Sequence, residues 1–275
     1  MNAPNAPLRL SRVRAELRLA FARAGRRTEA ARVYETGGWR LRFPRSREVC
    51  EAVVVNTGGG MAGGDRVEVA ISAGPGAHAV VTSQAQEKIY RSEGMVCEVH
   101  TALEVDREAR LTFAPQETLL FDGARLDRRL EADVDATATL TIMESFVFGR
   151  LAHGEARVAA AVADRWRVRR GGRLVFAEAL RLEDAGAALD RLAVGGGARA
   201  LATLVRIAPD THDKLEVLRA ALAAVEDAGD FEAGASLVDG LLIGRMLSRS
   251  PQRLRAGLVA AWRALDDRDA PRVWY

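Results

Sequence analysis

The segment Gly58-Gly59-Gly60-Met61-Ala62-Gly63-Gly64-Asp65 decides between two kinds of fold. Its Gly-x-Gly-x-x-Gly spacing, directly after the apolar run Ala52-Val53-Val54-Val55, matches the turn that opens a dinucleotide-binding unit. Such a turn must lead into a helix, whose N-terminal amides hold the pyrophosphate. The next residues are instead Arg66-Val67-Glu68-Val69-Ala70-Ile71-Ser72, a period-two alternation that ends at Gly74-Pro75-Gly76. The glycines therefore lead into a strand. A nicotinamide-dependent oxidoreductase would require a helix over residues 64–75, and the alternation argues against it.

From Arg66 to about Glu183, short alternating runs separated by turn signals predict an all-β body. After the strand with Val67, Val69 and Ile71 on one face, the candidates are Ala77–Ser83, Val96–Val105, Ala109–Phe113, Glu117–Phe121, Leu126–Val134, Ala138–Phe148, Arg157–Val162, Arg165–Arg169 and Leu174–Leu182. No clean short repeat emerges, so closed barrel, sandwich and irregular β-helix all stay open on periodicity alone. Residues 184–200, rich in Ala and Gly, read as a loop or junction. Beyond them, Leu215, Leu218, Leu222 and Val225 recur at helical spacing behind the capping residues Asp210 and Thr211, over about Asp210 to Ala228. Ser250-Pro251 is an N-cap followed by proline at the first helical position, opening a helix through Leu254, Leu258 and Leu265. Ser236 to Leu247 is helical or a short strand pair. Helices this few do not bury a core of their own. The chain is expected to form a single domain over 1–275, with a β body at about 8–206 and a helical part at about 207–275.

The 275 residues are 48% apolar and 28% charged, as in a soluble globule. No apolar stretch approaches the roughly 20 residues of a membrane-spanning helix, and the Arg-rich start lacks the apolar block of a secretory signal. A cytoplasmic protein is expected. Residues 1–50 hold 12 Arg against 4 acidic residues. These arginines alternate with apolar residues and have few aromatics among them, which fits solvated strand faces better than a nucleic-acid surface. Cys50 and Cys97 make no disulfide framework, and His78, His100, His153 and His212 form no closely spaced zinc-type set. Any metal chemistry must lean on carboxylates.

Enzymatic signatures are weak. Ser83 and Ser92 lie near Lys88 and Tyr90, but there is no Gly-x-Ser-x-Gly elbow, and no Lys-Ser or Lys-Thr comes after the glycines. More informative are acidic residues in unusual places: Asp65 at the end of the glycine turn, Glu68, Glu117, Asp122, Glu144 and Glu178. A carboxylate flanked by apolar strand residues either faces water or lines an internal polar channel. Glu144 stands out, because Ile142 and Phe146 share its face, and that face ought to be buried. Several such carboxylates inside one β body would make a path for a divalent cation, since weak successive oxygen sites suit transfer better than storage.

Gly59-Gly60-Met61-Ala62-Gly63-Gly64-Asp65-Arg66, Gly76 to Thr82, Lys88-Ile89-Tyr90-Arg91-Ser92, Pro115-Gln116-Glu117-Thr118 through Phe121-Asp122-Gly123-Ala124, and Phe148-Gly149-Arg150 with Gly154-Glu155 occur in an order that resembles the urease accessory protein family UreD, also called UreH. Gly38-Trp39-Arg40-Leu41-Arg42-Phe43-Pro44 and Leu201-Ala202-Thr203-Leu204-Val205 are similar to further segments of that family, so the likeness runs from about residue 12 to 206. The chain departs from the family's usual pattern at Met61-Ala62 and at Gln86-Glu87, where a small or amide residue is common. The resemblance implies an irregular β-helix-like stack of many short strands with a few C-terminal α-helices. It implies a nickel-delivery chaperone rather than an enzyme, with nickel transient and no cofactor tightly bound. The implied partners are apo-urease, UreF, UreG through UreF, and a second copy of the chain within that complex, with no nucleic acid or membrane. Carried across by position, the metal-path residues implied are Asp65, Glu68, Glu144 and Glu178, with Lys88 and Tyr90 structural or at an interface. Asp65→Ala is then expected to impair urease activation without unfolding the protein. The alternative function is a purely structural adaptor that joins urease to the GTPase and carries no metal.

Overall fold

Strands whose inward positions repeat from one coil to the next stack in parallel, and that rule builds this molecule. The computed structural model describes residues 12–45, 49–150, 153–155, 157–226, 230–266 and 268–275. The expected start of the β body at residues 8–11 and the end of the expected helix at 227–228 lie outside the described residues. In chain order the strands are β1 (Arg14–Ala24), β2 (Arg27–Glu35), β3 (Trp39–Arg42), β4 (Cys50–Asn56), β5 (Arg66–Ala73), β6 (His78–Ser83), β7 (Glu87–Ile89), β8 (Cys97–Val105), β9 (Arg110–Phe113), β10 (Thr118–Leu120), β11 (Arg125–Val134), β12 (Thr139–Phe148), β13 (Ala161–Arg170), β14 (Arg173–Leu182), β15 (Ala200–Ile207), β16 (Phe231–Val238) and β17 (Leu241–Ser248). The helices are α1 (Ala185–Leu189), α2 (Thr211–Glu226) and α3 (Pro251–Leu265).

The strands form two sheets, ordered β14-β13-β11-β8-β5-β1-β2 and β16-β17-β15-β12-β9-β6-β4-β3. From β4 to β13 the chain alternates between them, so that β5, β8, β11 and β13 are parallel neighbours in the first sheet and β4, β6, β9 and β12 in the second. Each pair of strands is one coil of a β-solenoid of about four turns. The expected β-helix-like stack with C-terminal helices is what the chain forms, and β5 occupies the residues where a nucleotide-binding helix would have begun. Hairpin partners β2 and β14 continue the first sheet antiparallel, and β15, β17 and β16 continue the second. Residues 231–248 are thus a strand pair that joins the second sheet.

A repeat of uneven spacing marks the coil corners. Val105-Asp106-Arg107-Glu108-Ala109-Arg110-Leu111 and Val134-Asp135-Ala136-Thr137-Ala138-Thr139-Leu140 are successive corners, and Ala73 to Ala79 is the corner before them. In each, the amide of the corner alanine closes a turn, as Ala77 N to Gly74 O, Ala109 N to Asp106 O and Ala138 N to Asp135 O. These alanines are fully buried, so the corner admits a methyl group and little more. Coils are cross-linked there by Asp106 N donating to Ala73 O and Asp135 N donating to Val105 O. Unequal distances between corners hide the repeat from a search for a fixed period.

At another corner, Met61, Ile89, Leu120 and Phe148 stack in register and are all buried. This ladder explains the glycines beside it. A Cβ on Gly60 would lie 2.6 Å from Tyr90 Cε2 and 2.9 Å from the Lys88 carbonyl oxygen, and one on Gly63 would lie 2.1 Å from Ser92 Oγ. The glycines let one coil lie flush under the next, where no phosphate is needed to account for them.

One core fills the space between the sheets, with Leu19, Ile71, Leu103, Phe113, Ile142 and Trp166 among its members. A second lies between the outer face of the second sheet and α2 and α3, through Met143, Leu204, Leu218, Leu258 and Trp262. Ser250 caps α3 as the sequence predicts, its side chain accepting from Arg253 N. The Pro115-Gln116-Glu117-Thr118 motif ties this layer down. Gln116 Nε2 donates to Val273 O at 2.8 Å, Arg255 Nε donates to Glu117 Oε1 at 2.9 Å, and Trp274 Nε1 donates to Thr82 Oγ1 at 2.9 Å.

Gly60→Ala should therefore lower the free energy of unfolding by about 1–3 kcal/mol through overpacking of the corner. Gly234→Ala, whose added Cβ meets nothing within 4 Å, should stay within ~0.5 kcal/mol of the parent. Chemical denaturation of the two variants checks both.

Candidate functional site

Among the described residues, three consecutive strands each carry a buried charged residue at a position that alternation assigns to the inter-sheet core. On β11 it is Arg128, between Leu126 and Leu130; on β12, Glu144, between Ile142 and Phe146; on β13, Asp164, between Val162 and Trp166. All three are buried. Arg128 and Asp164 are direct register partners in the first sheet, and Glu144 faces them from the second.

A buried charge must be paired or it is strongly destabilising. Arg128 meets that demand through Nε to Asp164 Oδ1 at 2.9 Å, Nη2 to Asp164 Oδ2 at 2.8 Å and Nη1 to Glu144 Oε1 at 3.1 Å. Its guanidinium also stacks 4.2 Å from the centre of the Phe146 ring. Trp166 Nε1 donates to Asp164 Oδ2 at 3.2 Å and fixes that carboxylate. Glu144 is left less satisfied, because its Oε2 is buried and has no hydrogen-bond partner among the described residues. Burial pushes the Glu144 carboxyl well above the ordinary carboxylate range, against the pull of Arg128. Burial alone would lower the Arg128 pKa, but Asp164 and Glu144 hold it above its usual value.

Two cavities meet at this cluster. One, of about 250 Å³, is walled by Val54, Val81, Thr101, Phe113 and the polar side chains of Asn56, Gln86 and Glu87. The other, of about 260 Å³, is walled by Trp166, Leu180, Thr203, Glu178 and Arg245. Arg128 and Glu144 wall both. Glu178, on the inner face of β14, is held by Arg245 through a two-pronged ion pair, with Nη1 to Oε1 at 2.5 Å. Arg245 Nη1 also donates to Thr203 Oγ1 at 2.6 Å.

Of the four carboxylates named from the sequence, the structure brings Glu144 and Glu178 to one cavity and places Asp65 and Glu68 elsewhere. Asp65 is buried in the glycine turn, where Oδ1 accepts from Val13 N at 2.8 Å and Oδ2 accepts from Ala62 N at 2.7 Å. One oxygen ties the turn to the residue before β1, and the other closes the turn on itself. The expectation that Asp65→Ala leaves the fold untouched is corrected on that ground, since the change strands two amides. Glu68 is on the outer face of the first sheet, paired with Arg66 at 2.5 Å and near His100 Nδ1 at 3.3 Å. It points away from the cavities because Val67 and Val69, on either side of it, point in. Tyr90 is structural, its hydroxyl donating to Gly59 O at 2.9 Å. Cys97 packs 3.9 Å from the Met61 sulfur and burial raises its thiol pKa, so it is a core residue. Among the described residues no set of three or more His, Cys, Asp or Glu side chains is arranged to hold a metal ion.

Arg128 escapes a sequence search restricted to acids in odd settings, and Asp164 falls between the two strands expected at Arg157–Val162 and Arg165–Arg169, although the pattern that singles out Glu144 applies to both. Glu87 escapes it too. It faces the first cavity, accepts from Asn56 Nδ2 at 2.9 Å, and burial pushes its carboxyl up to about 7.

Similarity to known proteins decides the family. Residues 13–275 match the family described as UreD urease accessory protein. The chain belongs to the UreD family. Relatives named urease accessory protein UreD include one from Beijerinckia indica, 42% identical over 265 residues and covering 96% of this chain and 97% of the relative. Another, from Methylobacterium sp. strain 4-46, is 46% identical over 269 residues, covering 96% and 95%. Membership makes the chain an accessory protein, not an enzyme. Among the described residues no helix is long and apolar enough to cross a membrane.

The raised Glu87 pKa gives a signed prediction. A folded-state carboxyl that titrates near 7, against 4.5 in the ordinary case, binds more protons than the unfolded chain between those values, so its contribution to stability falls as pH rises through that window. Glu87→Gln removes the dependence. Relative to the parent, the variant should gain about 1–2 kcal/mol between pH 5 and pH 8, measured by urea denaturation across that range.

Proposed function

We propose that this UreD-family protein is a urease maturation chaperone that binds apo-urease and helps deliver nickel to its active site together with UreF and UreG, with UreG docking through UreF. The ion is cargo, and its route is the interior between the two sheets. The observation that carries this reading is Glu144, a buried carboxylate with one unpartnered oxygen at the meeting point of two cavities, with Glu178 further along the second. Oxygen ligands hold first-row divalent ions less tightly than imidazole or thiolate, so each station can release what it takes. Fixed on stacked strands, the two carboxylates keep their separation while an ion moves. The protein works in the cytoplasm on this reading, as part of a complex that includes a second copy of itself.

Asp65 and Glu68 take different parts. Asp65 supports the passage by holding the glycine turn, and Glu68 belongs to an exposed charge network on the first sheet. A second reading, an adaptor that joins urease to the GTPase without carrying metal, is favoured by a specific observation. Both Glu144 and Glu178 are already matched by arginines of the same chain, and no three-ligand set is formed among the described residues.

Glu144→Gln/Glu178→Gln keeps shape and one acceptor oxygen on each side chain and removes both charges. Purified with its partners, this variant should still co-purify with apo-urease and should lower nickel-dependent urease activation at least about tenfold. Glu68→Ala should leave activation unchanged. Full activation by the double variant would discard the internal passage and leave the adaptor.

A further inference from the structure

We propose that Arg128 is a gate: a resident cation that keeps the neck between the two cavities closed by occupying the carboxylate an incoming divalent ion would need. This rests on the internal passage proposed above and deepens it. Arg128 and Glu144 are common to the walls of both cavities, so the direct route from one to the other runs past this pair. The guanidinium sits where a cation would sit, with one bond to Glu144 Oε1 and a positive charge that repels a second cation in a medium of low dielectric.

The bonding is asymmetric, and that asymmetry makes opening feasible. Arg128 grips Asp164 with two bonds and Glu144 with one. Asp164 is itself held by Trp166. If Arg128 lets go of Glu144, it keeps its two-pronged partner and its stacking on Phe146, so the guanidinium is not stranded. Glu144 would then offer a divalent ion both the oxygen given up by Arg128 and the Oε2 that has no partner among the described residues. The exchange is balanced: one guanidinium contact breaks, two metal–oxygen contacts form, and the proton that burial favours on Glu144 is released to solvent as the ion binds. Arg245 on Glu178 repeats the arrangement in the second cavity, with a cation of the chain already on the carboxylate.

A gate of this kind predicts effects of opposite sign from two variants that share a substitution. Arg128→Met/Asp164→Asn removes the plug and its partner charge together, leaving Glu144 open. Asp164→Asn alone removes the competing carboxylate and leaves Arg128 committed to Glu144. Ni²⁺ titrations of urease activation, run with the full chain, apo-urease and the other accessory proteins, read the half-maximal nickel concentration. It should fall at least about threefold for the double variant and rise at least about threefold for Asp164→Asn, as expected for removing or tightening a like charge beside the ion. Thermal melting of each variant checks that it is folded. A folded double variant with an unchanged or raised half-maximum overturns the gate. Should the double variant not fold, Asp164→Asn decides, and an unchanged or lowered half-maximum overturns the gate. Glu144→Gln in the same titration separates the two levels: if it impairs activation while the gate variants do not behave as stated, the passage stands without a gate, and if it has no effect, the passage itself fails.

Discussion

Parallel, in-register stacking governs this protein, because it obliges each inward position to meet its counterpart in the next coil. Val67, Val99, Arg128, Asp164 and Leu180 are such a row across the first sheet. An apolar row is satisfied by contact alone. Once Arg128 enters the row, the next coil must supply an acid at that same rung, and it does so with Asp164. The second carboxylate comes from the facing sheet. Register thus converts one buried charge into a cluster with fixed geometry, and a cavity on either side results from the space that polar side chains do not fill as apolar ones would.

The same stacking accounts for residues that resemble parts of a ligand site. Gly60 and Gly63 are present because the following coil lies against them, and Asp65 is buried because two amides at the turn need an acceptor. In both cases a residue type that often binds ligands serves backbone geometry instead. Gln116 and Glu117 do comparable work on the far side of the second sheet, joining α3 and the last residues to the solenoid, so the C-terminal helices are a layer of the body.

Strand β5, with unbroken alternation, is legible in the sequence, and so is the N-cap of α3; β12 reads as a strand although it is buried on both faces. Legibility ends where a charge sits inside the apolar series. Arg157–Val162 and Arg165–Arg169 read as two strands, but Asp164 belongs to a continuous β13 and points inward to Arg128. Glu144 can be singled out because Ile142 and Phe146 flank it. The outward position of Glu68 is equally available, since Val67, Val69 and Ile71 occupy one face. What one chain of letters does not supply is the pairing of β11 with β13, which turns two odd residues into partners. The corner repeat is hidden for a related reason, as only the alanines and the turn acids recur while the lengths between them vary.

The two cavities differ in how their charge is balanced. Glu144 and Glu178 each bear on an arginine in the second cavity, although Arg128 also serves Asp164 there. Glu87 faces the first cavity with the amide of Asn56 as its hydrogen-bond donor. Burial takes water from this carboxylate, and the opposing pull of Asn56 and Lys88 does not make up the loss, so it takes up a proton more readily and its titration moves toward neutrality. A divalent ion in the first cavity would meet Glu87, which no arginine among the described residues engages there, whereas in the second it must compete with guanidinium groups that already hold the carboxylates. The resting structure therefore favours a cation on the Glu87 side of Arg128 and opposes its advance, and movement forward requires something that changes the balance at Arg128 or Arg245. Docking of a partner near Arg245, which is about half exposed, would act on the outer of these two pairs first.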